Sequence, residues 1–317
     1  TKYANSNWML SMNTSTKDQI IVVGSINTDM VIGANKLPKP GETLIGHKFF
    51  MNSGGKGANQ AVAAARMGGE VAMIANLGVD VFGDSAIAKL KEEGVNCEGI
   101  TRDPDRPSGV AIINVDDTGE NQIVVAPGAN ATLDTDLVSA ALDRIPPSSI
   151  VLLQLEIPIE SVVKAVEVCQ KKGCRIMLDP APAQALPESV YKGTYLLTPN
   201  RNEAELLSGI LISDRGSVTC AAEKLLMSGV TNVAITLGSQ GVFFANAENK
   251  QFLEATSVSA VDTTAAGDCF NGAVAAKLSQ GCSLVEGIKS GILASSICVT
   301  RHGAQDAMPY FNEVNSV

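Results

Sequence analysis

The run SSIVLLQLE (148–156), SVVKAVEVCQKKG (161–173), CRIMLDP (174–180) decides the fold. It holds an apolar stretch of strand length, a segment of helical period closed by Gly173, and a second apolar stretch. They read as strand, helix, strand. Strands joined by a helical crossover lie parallel, and parallel sheets are covered on both faces. Outward from this unit the alternation recurs. Before it come the strand IIVVG (20–24), the helix AVAAARMG (61–68), the strand VAMIANLG (71–78) and the helix SAIAKLKEEG (85–94). After it come the strand TYLLTPN (194–200), the helices NEAELLSG (202–209) and AAEKLLMSG (221–229), and the strand NVAITLG (232–238). Two helices close the series, FNGAVAAKLSQG (270–281) and LVEGIKSGILASSICV (284–299). The chain is α/β, with a Rossmann-like, doubly wound, mostly parallel sheet.

Two segments keep strand period with no helix attached, GETLIGHKFFMN (41–52) and GVAIINVDDTGENQIVVAP (109–127). They predict a small antiparallel sheet. It is either a lid over the carboxyl ends of the parallel strands, where ligands bind in this architecture, or a pair of surface hairpins.

The composition narrows the function classes. Of 317 residues, 45% are hydrophobic and 18% charged, a globular balance, and the net charge of −9 disfavours nucleic acid or an anionic membrane as main partner. No apolar window reaches 18 residues, so no transmembrane helix is expected. Seven cysteines, an odd number with no Cys-x-x-Cys, argue against a disulfide framework or zinc ribbon and for a reducing intracellular compartment. The only histidines, His47 and His302, lie in no catalytic motif. Residues 1–18 are polar, with one acidic residue. They read as a tail, either a remnant of expression or the end of a cleaved transit peptide, which leaves plastid stroma and cytoplasm both open. One domain spans 19–317, with lid strands around 29–51 and 108–127.

Polar groups gather where the parallel strands end. DTTAAGD (262–268) opens a small-residue helix. The amides of Ala265, Ala266 and Gly267 form an anion site at its N-terminus, and Asp268 is a base facing a hydroxyl or a helix cap. Asp262, Thr263 and Thr264 offer oxygens to a cation, or form a turn. NSGGKGANQA (52–61) wraps three glycines around Lys56, yet it has neither P-loop spacing nor a dinucleotide fingerprint. In GSINTDMV (24–31), Asn27 and Asp29 follow a buried strand with period 2, suited to neighbouring sugar hydroxyls or to an Asx turn. Glu156 interrupts an apolar strand, costly unless it is paired or faces a ligand. Asn200 and Glu203 open a helix, and Thr236, Gly238 and Gly241 form a glycine turn. Five such groups on one sheet edge favour a site over five separate caps.

These motifs, in this order and spacing, resemble the PfkB carbohydrate kinase family. The glycine motif with Asn27 and Asp29 is similar to its ribokinase branch. The resemblance covers everything but the tail and implies a ribokinase-like fold and ATP-dependent phosphorylation of D-ribose at its 5-hydroxyl. It implies Asp268 as general base and Ala265, Ala266 and Gly267 as anion hole. Asn27, Asp29, Gly55, Lys56, Asn59 and Glu156 would hold ribose, with Asp268. Asn200, Thr236, Gly238, Ser239, Gly241 and Gly267 would hold ATP. Glu203 would order Mg2+ indirectly. A monovalent cation, K+, would sit among Asp262, Thr264 and the backbone near Cys298, Arg301 and Gly303. Ala307 stands there where some relatives supply a Ser hydroxyl, which leaves cation selectivity open. The resemblance also implies a homodimer paired through lid sheets. Three rivals differ in kind: another sugar or nucleoside kinase of the family, a sugar-binding protein without catalysis, and an NAD-dependent oxidoreductase. The missing G-x-G-x-x-G disfavours the last.

Overall fold

A computed structural model describes residues 18–315. The tail expected over 1–18 lies outside them except for Asp18, whose carboxylate pairs with Arg175 and whose N–H reaches the Ser279 carbonyl. Among the described residues the strands, in chain order, are β1 (Ile20–Val23), β2 (Asn27–Ala34), β3 (Lys48–Gly54), β4 (Val71–Gly78), β5 (Asn96–Asp103), β6 (Gly109–Asp116), β7 (Asn121–Ala126), β8 (Ile150–Leu153), β9 (Arg175–Leu178), β10 (Leu196–Leu197), β11 (Asn232–Thr236), β12 (Val242–Asn246) and β13 (Lys250–Leu253). The α-helices are α1 (Lys56–Arg66), α2 (Val81–Glu92), α3 (Thr135–Leu142), α4 (Ile159–Lys172), α5 (Glu188–Gly193), α6 (Arg201–Ser208), α7 (Arg215–Met227), α8 (Ala266–Ser279), α9 (Leu284–Cys298) and α10 (Phe311–Asn315). No helix among these residues is long and apolar enough to cross a membrane.

Nine strands form the main sheet in the order β13-β12-β11-β10-β9-β8-β1-β4-β5. It is parallel from β11 to β5, and β12 and β13 extend it antiparallel. The chain builds outward from β1 through β4 and β5, then returns to lay β8 on the other flank of β1. The order therefore reverses between β1 and β8, where such sheets open a crevice. Alternate residues of β1 feed two cores. Ile20 and Val22 pack with α1, α8 and α9, and Ile21 and Val23 with α3, α4 and α7. Each fully buried side chain of this kind contributes roughly 1.5–3 kcal/mol of transfer free energy.

Helices α1 and α8 pack through small residues. A Cβ at Gly272 would lie 2.5 Å from the Ala63 methyl and 2.7 Å from both the Ala64 nitrogen and the Gln60 carbonyl oxygen. Glycine is what lets the helices approach this closely. Their N-terminal ends, Lys56–Gln60 and Ala266–Asp268, face the crevice together.

The small sheet has the order β3-β2-β6-β7. The expectation of a small antiparallel sheet holds for its two outer pairs, β2–β3 and β6–β7, whereas the middle pair β2–β6 is parallel. The reason is topological: the chain visits the main sheet through β4 and β5 between the two hairpins. Asn27–Ala34 is itself a strand of this small sheet. In the 41–52 segment only the part from Lys48 onward is strand.

Candidate active site

The carboxyl edge of the parallel sheet carries a row of polar residues. β1 leads through Gly24 and Ser25 to Asn27, β8 to Glu156, β9 to Asp179, β10 to Asn200, and β11 ends at Thr236. Glu156 lies just past its strand, not within it. Its Oε2 accepts from Ser25 Oγ at 2.5 Å and from the Lys56 N–H at 3.1 Å, so the charge is met at the strand end.

Asp268 sits in the first turn of α8 with only 4% of its surface exposed. Asn59 Nδ2 donates to its Oδ2 at 2.9 Å and Gln60 Nε2 to its Oδ1 at 3.1 Å. Gln60 Nε2 also donates to Asp179 Oδ2 at 2.9 Å, and its own Oε1 accepts from Gln154 Nε2 at 2.7 Å. Gln305 Nε2 donates to Asn59 Oδ1 at 3.2 Å. The Asp268 carboxylate as a base accepts only, so Asn59 and Gln60 turn their NH2 groups to it, and Gln305 and Gln154 turn theirs to the amide oxygens left on the other side. The buried Oε1 atoms of Gln154 and Gln305 end up without a hydrogen bond at the far ends. Arg66, at the end of α1, fixes the segment bearing Gln305 by donating to the carbonyls of Gln305 and Met308, 2.7 and 2.8 Å away.

Burial pushes the Asp268 carboxyl above its usual range, and the Lys56 charge with the two amide donors opposes this. Burial pushes Asp179 up to about 8, against the pull of Lys56. Burial alone would depress Lys56. Asp268, Asp179, Glu156 and Glu203 outweigh it and hold the ammonium firmly charged.

Asn27 and Asp29 share one face of β2, as period 2 requires, and Asp29 Oδ2 lies over Gly54, 2.3 Å from where a Cβ would stand. Burial, then the charges of Glu156 and Asp268, push the Asp29 carboxyl up to about 6. Asn27, Asp29, Lys56, Asn59, Glu156 and Asp268 thus converge, with Gly55 as N-cap of α1 at φ 88°. This end of the crevice offers a polar concave surface rich in acceptors, suited to a ligand with several hydroxyls.

Beyond Asp268 a cavity of about 530 Å3 runs between Thr236, Gly238, Ser239 and Gly241 on one wall and Gly267 on another. Its far wall is formed by α9, including Ile292 and Ser296, and by Val299 just past its end. At the start of α8, Ala265 takes φ 57°, a left-handed conformation costly for a residue with a Cβ. Of the three amides expected to be free, Ala266 N–H turns back to the Thr263 carbonyl at 3.3 Å. The N–H groups of Gly267 and Asp268 meet no acceptor among the described residues and extend the positive end of the helix dipole. Asn200 caps α6, and Glu203 completes a capping box. Its Oε2 accepts the Asn200 N–H and its Oε1 the Asn200 Nδ2, at 2.8 and 2.7 Å.

The proposed cation ligands also meet. Asp262 Oδ1 accepts from the Thr264 N–H at 2.9 Å and Oδ2 from the Gly303 N–H at 3.0 Å, joining the two loops. Burial opposes the Asp262 charge, and the hydrogen bonds from Thr264 and Gly303 hold its pKa below the ordinary value. A carboxylate, a hydroxyl and the carbonyls of the turn after Cys298 suit a hard cation. Ala307, 1% exposed, contributes no side-chain oxygen, and the Arg301 guanidinium points instead to Glu313.

Residues 17–310 match the model of the pfkB family carbohydrate kinases. The chain belongs to that family. Among curated pfkB relatives, it is 40% identical over 290 residues to the ribokinase of Haemophilus influenzae, covering 92% of this chain and 95% of that one. Among solved pfkB structures, the ribokinase of Thermotoga maritima superposes with a TM-score of 0.86 at 40% identity, over 94% of this chain and 98% of the other. The ribokinase of Arabidopsis thaliana, solved with ribose and ATP, gives 0.86 at 29% identity over 95% and 98%. The ribokinase-like fold read from the sequence is therefore the fold of the family.

Four polar residues of this pfkB site escaped the sequence reading. Asp179 is followed by proline and passes for a turn residue. Gln60 and Gln154 are uncharged and sit beside conspicuous neighbours, and Asn130 lies in a loop. One signal was available for Asp179: it ends a parallel strand between those that lead to Glu156 and Asn200.

Proposed function

We propose that the chain transfers the terminal phosphoryl group of ATP to the 5-hydroxyl of D-ribose. The observation that carries this reading is the position of Asp268. One buried carboxylate is bonded to Asn59 at the polyhydroxyl end of the crevice and directly follows Ala266 and Gly267, which line the glycine-walled cavity, beside the free N–H groups that open α8. Ribose lies against Asn27, Asp29, Gly55, Lys56, Asn59 and Glu156. ATP lies against Asn200, Thr236, Gly238, Ser239 and Gly241.

Asp268 takes the proton of the 5-hydroxyl as the oxygen bonds to the γ-phosphorus and the bond to the bridging oxygen of ADP breaks. Asn59 and Gln60 hold the carboxylate in line for that transfer. Lys56 and the amides at the start of α8 stabilise the charge on the transferring group, the main requirement of phosphoryl transfer. Glu203 would order Mg2+ through water, and that ion when bound neutralises phosphate charge. Asp262, Thr264 and the carbonyls near Cys298, Arg301 and Gly303 would hold K+, which steadies the loop before α8. The small sheet serves as a lid that excludes water.

The lid also has a second face. Register places Asn27, Asp29 and Val31 on the side toward the crevice, and puts Met30, Met51, Ile112 and Val124 in one row on the other. Met51 and Val124 are more than half exposed, as is Phe49 beside them. Such an apolar sheet face fits a homodimer formed through the lids. The seven free cysteines suit a reducing interior, in cytoplasm or plastid stroma.

The test is ADP release with magnesium-ATP and ribose, deoxyribose, fructose or adenosine, in potassium and in sodium. Ribose-dependent turnover supports the reading. Preference for another sugar moves the error to the Asn27–Asp29 pocket. Ribose binding with no turnover favours the non-catalytic sugar binder.

A further inference from the structure

Four stretches of chain pass between the main sheet and the lid: Ile26–Asn27, Gly54–Gly55, Pro107–Gly109 and Pro127–Asn130. The first, third and fourth meet around one side chain. Asn130, 2% exposed, lies in the short 3-10 turn Gly128–Thr132 where the chain leaves the lid. Its Oδ1 accepts from the Ile26 N–H at 2.9 Å. Its Nδ2 donates to the Ile26 carbonyl at 3.1 Å and to Asn27 Oδ1 at 2.8 Å. The neighbouring Ala129 N–H bonds the Pro107 carbonyl at 2.8 Å. The packing leaves no slack: a Cβ at Gly109 would stand 2.2 Å from Asn27 Oδ1 and 2.3 Å from Asn130 Nδ2.

The bonding fixes more than position. A backbone N–H can only donate, so the Asn130 atom facing Ile26 N must be oxygen and the other must be the NH2 group. The Asn27 atom facing that NH2 must then be its oxygen. Asn27 is left with its own NH2 as the group to offer a ligand. Alone, Asn27 could present either end of its amide. With Asn130 in place it presents a donor, beside the acceptors Asp29 and Glu156. A hydroxyl can then accept from one neighbour and donate to the next.

We propose that Asn130 is a positioning residue for sugar binding: it locks the Asn27 amide with its donor toward the sugar and pins the lid's exit to its entry at that point. The inference rests on the reading of Asn27 as a ribose contact. Asn130 itself touches no substrate.

A double-mutant cycle separates the two claims. Ribose binding is measured by calorimetry, and ribose and ATP kinetics alongside, for the parent chain, Asn27→Ala, Asn130→Ala and the double variant. Each single change is expected to weaken ribose binding about 10-fold, with the KM for ATP within about twofold of the parent. The double variant is expected to bind no more weakly than Asn27→Ala, because Asn130 acts through Asn27. The near-isosteric Asn130→Asp keeps the acceptor for the Ile26 N–H and turns a carboxylate toward Asn27. The Asn27 NH2 then swings to that carboxylate, so ribose affinity falls even if the melting temperature holds. This variant decides the matter if Asn130→Ala does not fold. Unchanged ribose affinity in Asn27→Ala overturns the sugar contact and the inference with it. Additive losses in the double variant, or parent-like affinity in Asn130→Asp, overturn the role of Asn130 and leave the proposed function standing.

Discussion

Asn59 and Asp268, 209 positions apart in sequence, are joined by a hydrogen bond of 2.9 Å from Nδ2 to Oδ2. Gln60 donates to the other carboxylate oxygen. Both oxygens of Asp268 are thus held by amide donors from the first turns of α1. An asparagine at 268 has only one oxygen, so one donor would face an NH2 group. Asp268→Asn is expected to lower turnover by about 100- to 10,000-fold, the usual range for a general base. Ribose affinity by calorimetry should change little. Near-normal turnover would remove Asp268 from that role.

Asp29 gives a pH prediction with a definite sign. Its carboxyl is pushed up to about 6 in the folded chain, from an ordinary value of 3.8. Below pH 4 it is protonated both folded and unfolded and carries no penalty. Between about pH 4 and 6 the unfolded chain ionises first and stability falls. Above 6 the penalty is complete, on the order of 2–3 kcal/mol. Asp29→Asn should therefore raise the melting temperature at pH 7 and lose that advantage at pH 4, while weakening ribose binding. A melting temperature unchanged at pH 7 would count against the buried charge.

Gly272→Ala tests the approach of α1 and α8. The added methyl meets backbone atoms of α1 at 2.7 Å, which cannot rotate away. Overpacking of this kind costs roughly 1–3 kcal/mol. Urea unfolding should show that loss. Turnover should also fall, because pushing the helices apart lengthens the bonds from Asn59 and Gln60 to Asp268. Retained stability would mean that the two helices slide at little cost.

The outer lid face gives an association prediction. Val124→Asp, with Val124 69% exposed, should leave the fold intact and shift a lid-paired dimer toward monomer in light scattering. A variant that keeps the parent mass places the dimer contact elsewhere or removes it.

Much of this was legible in the sequence, because strands buried on both faces must be apolar and crossover helices must alternate with them. IIVVG, VAMIANLG and NVAITLG stand close to where they were read. β10 shrinks to Leu196–Leu197 because the chain turns at once into the cap of α6. β5, NCEGITRD, was missed because an edge strand need not be apolar throughout. The hairpin of β12 and β13 was missed because the glycine turn that leads from β11 into β12 had been read only as a ligand loop. Charged and glycine-rich site residues other than Asp179 announced themselves, whereas Gln60, Gln154 and Asn130 did not. Their role is to aim other side chains, and that depends on contacts across 94 to 208 positions that no local pattern carries.

One arrangement in the sheet bears on how the chain can be trimmed. The first strand among the described residues is an interior one: Ile20–Val23 lies between β4 and β8, paired to both along its full length. A protease that cut after Val23 would not shorten an end but cleave the scaffold along an interior strand, parting β4 and β5 from β8 and the strands beyond it. Asp18, tied to Arg175 and Ser279, anchors the chain just ahead of that strand, so a cut beyond it would begin to free β1 from the sheet.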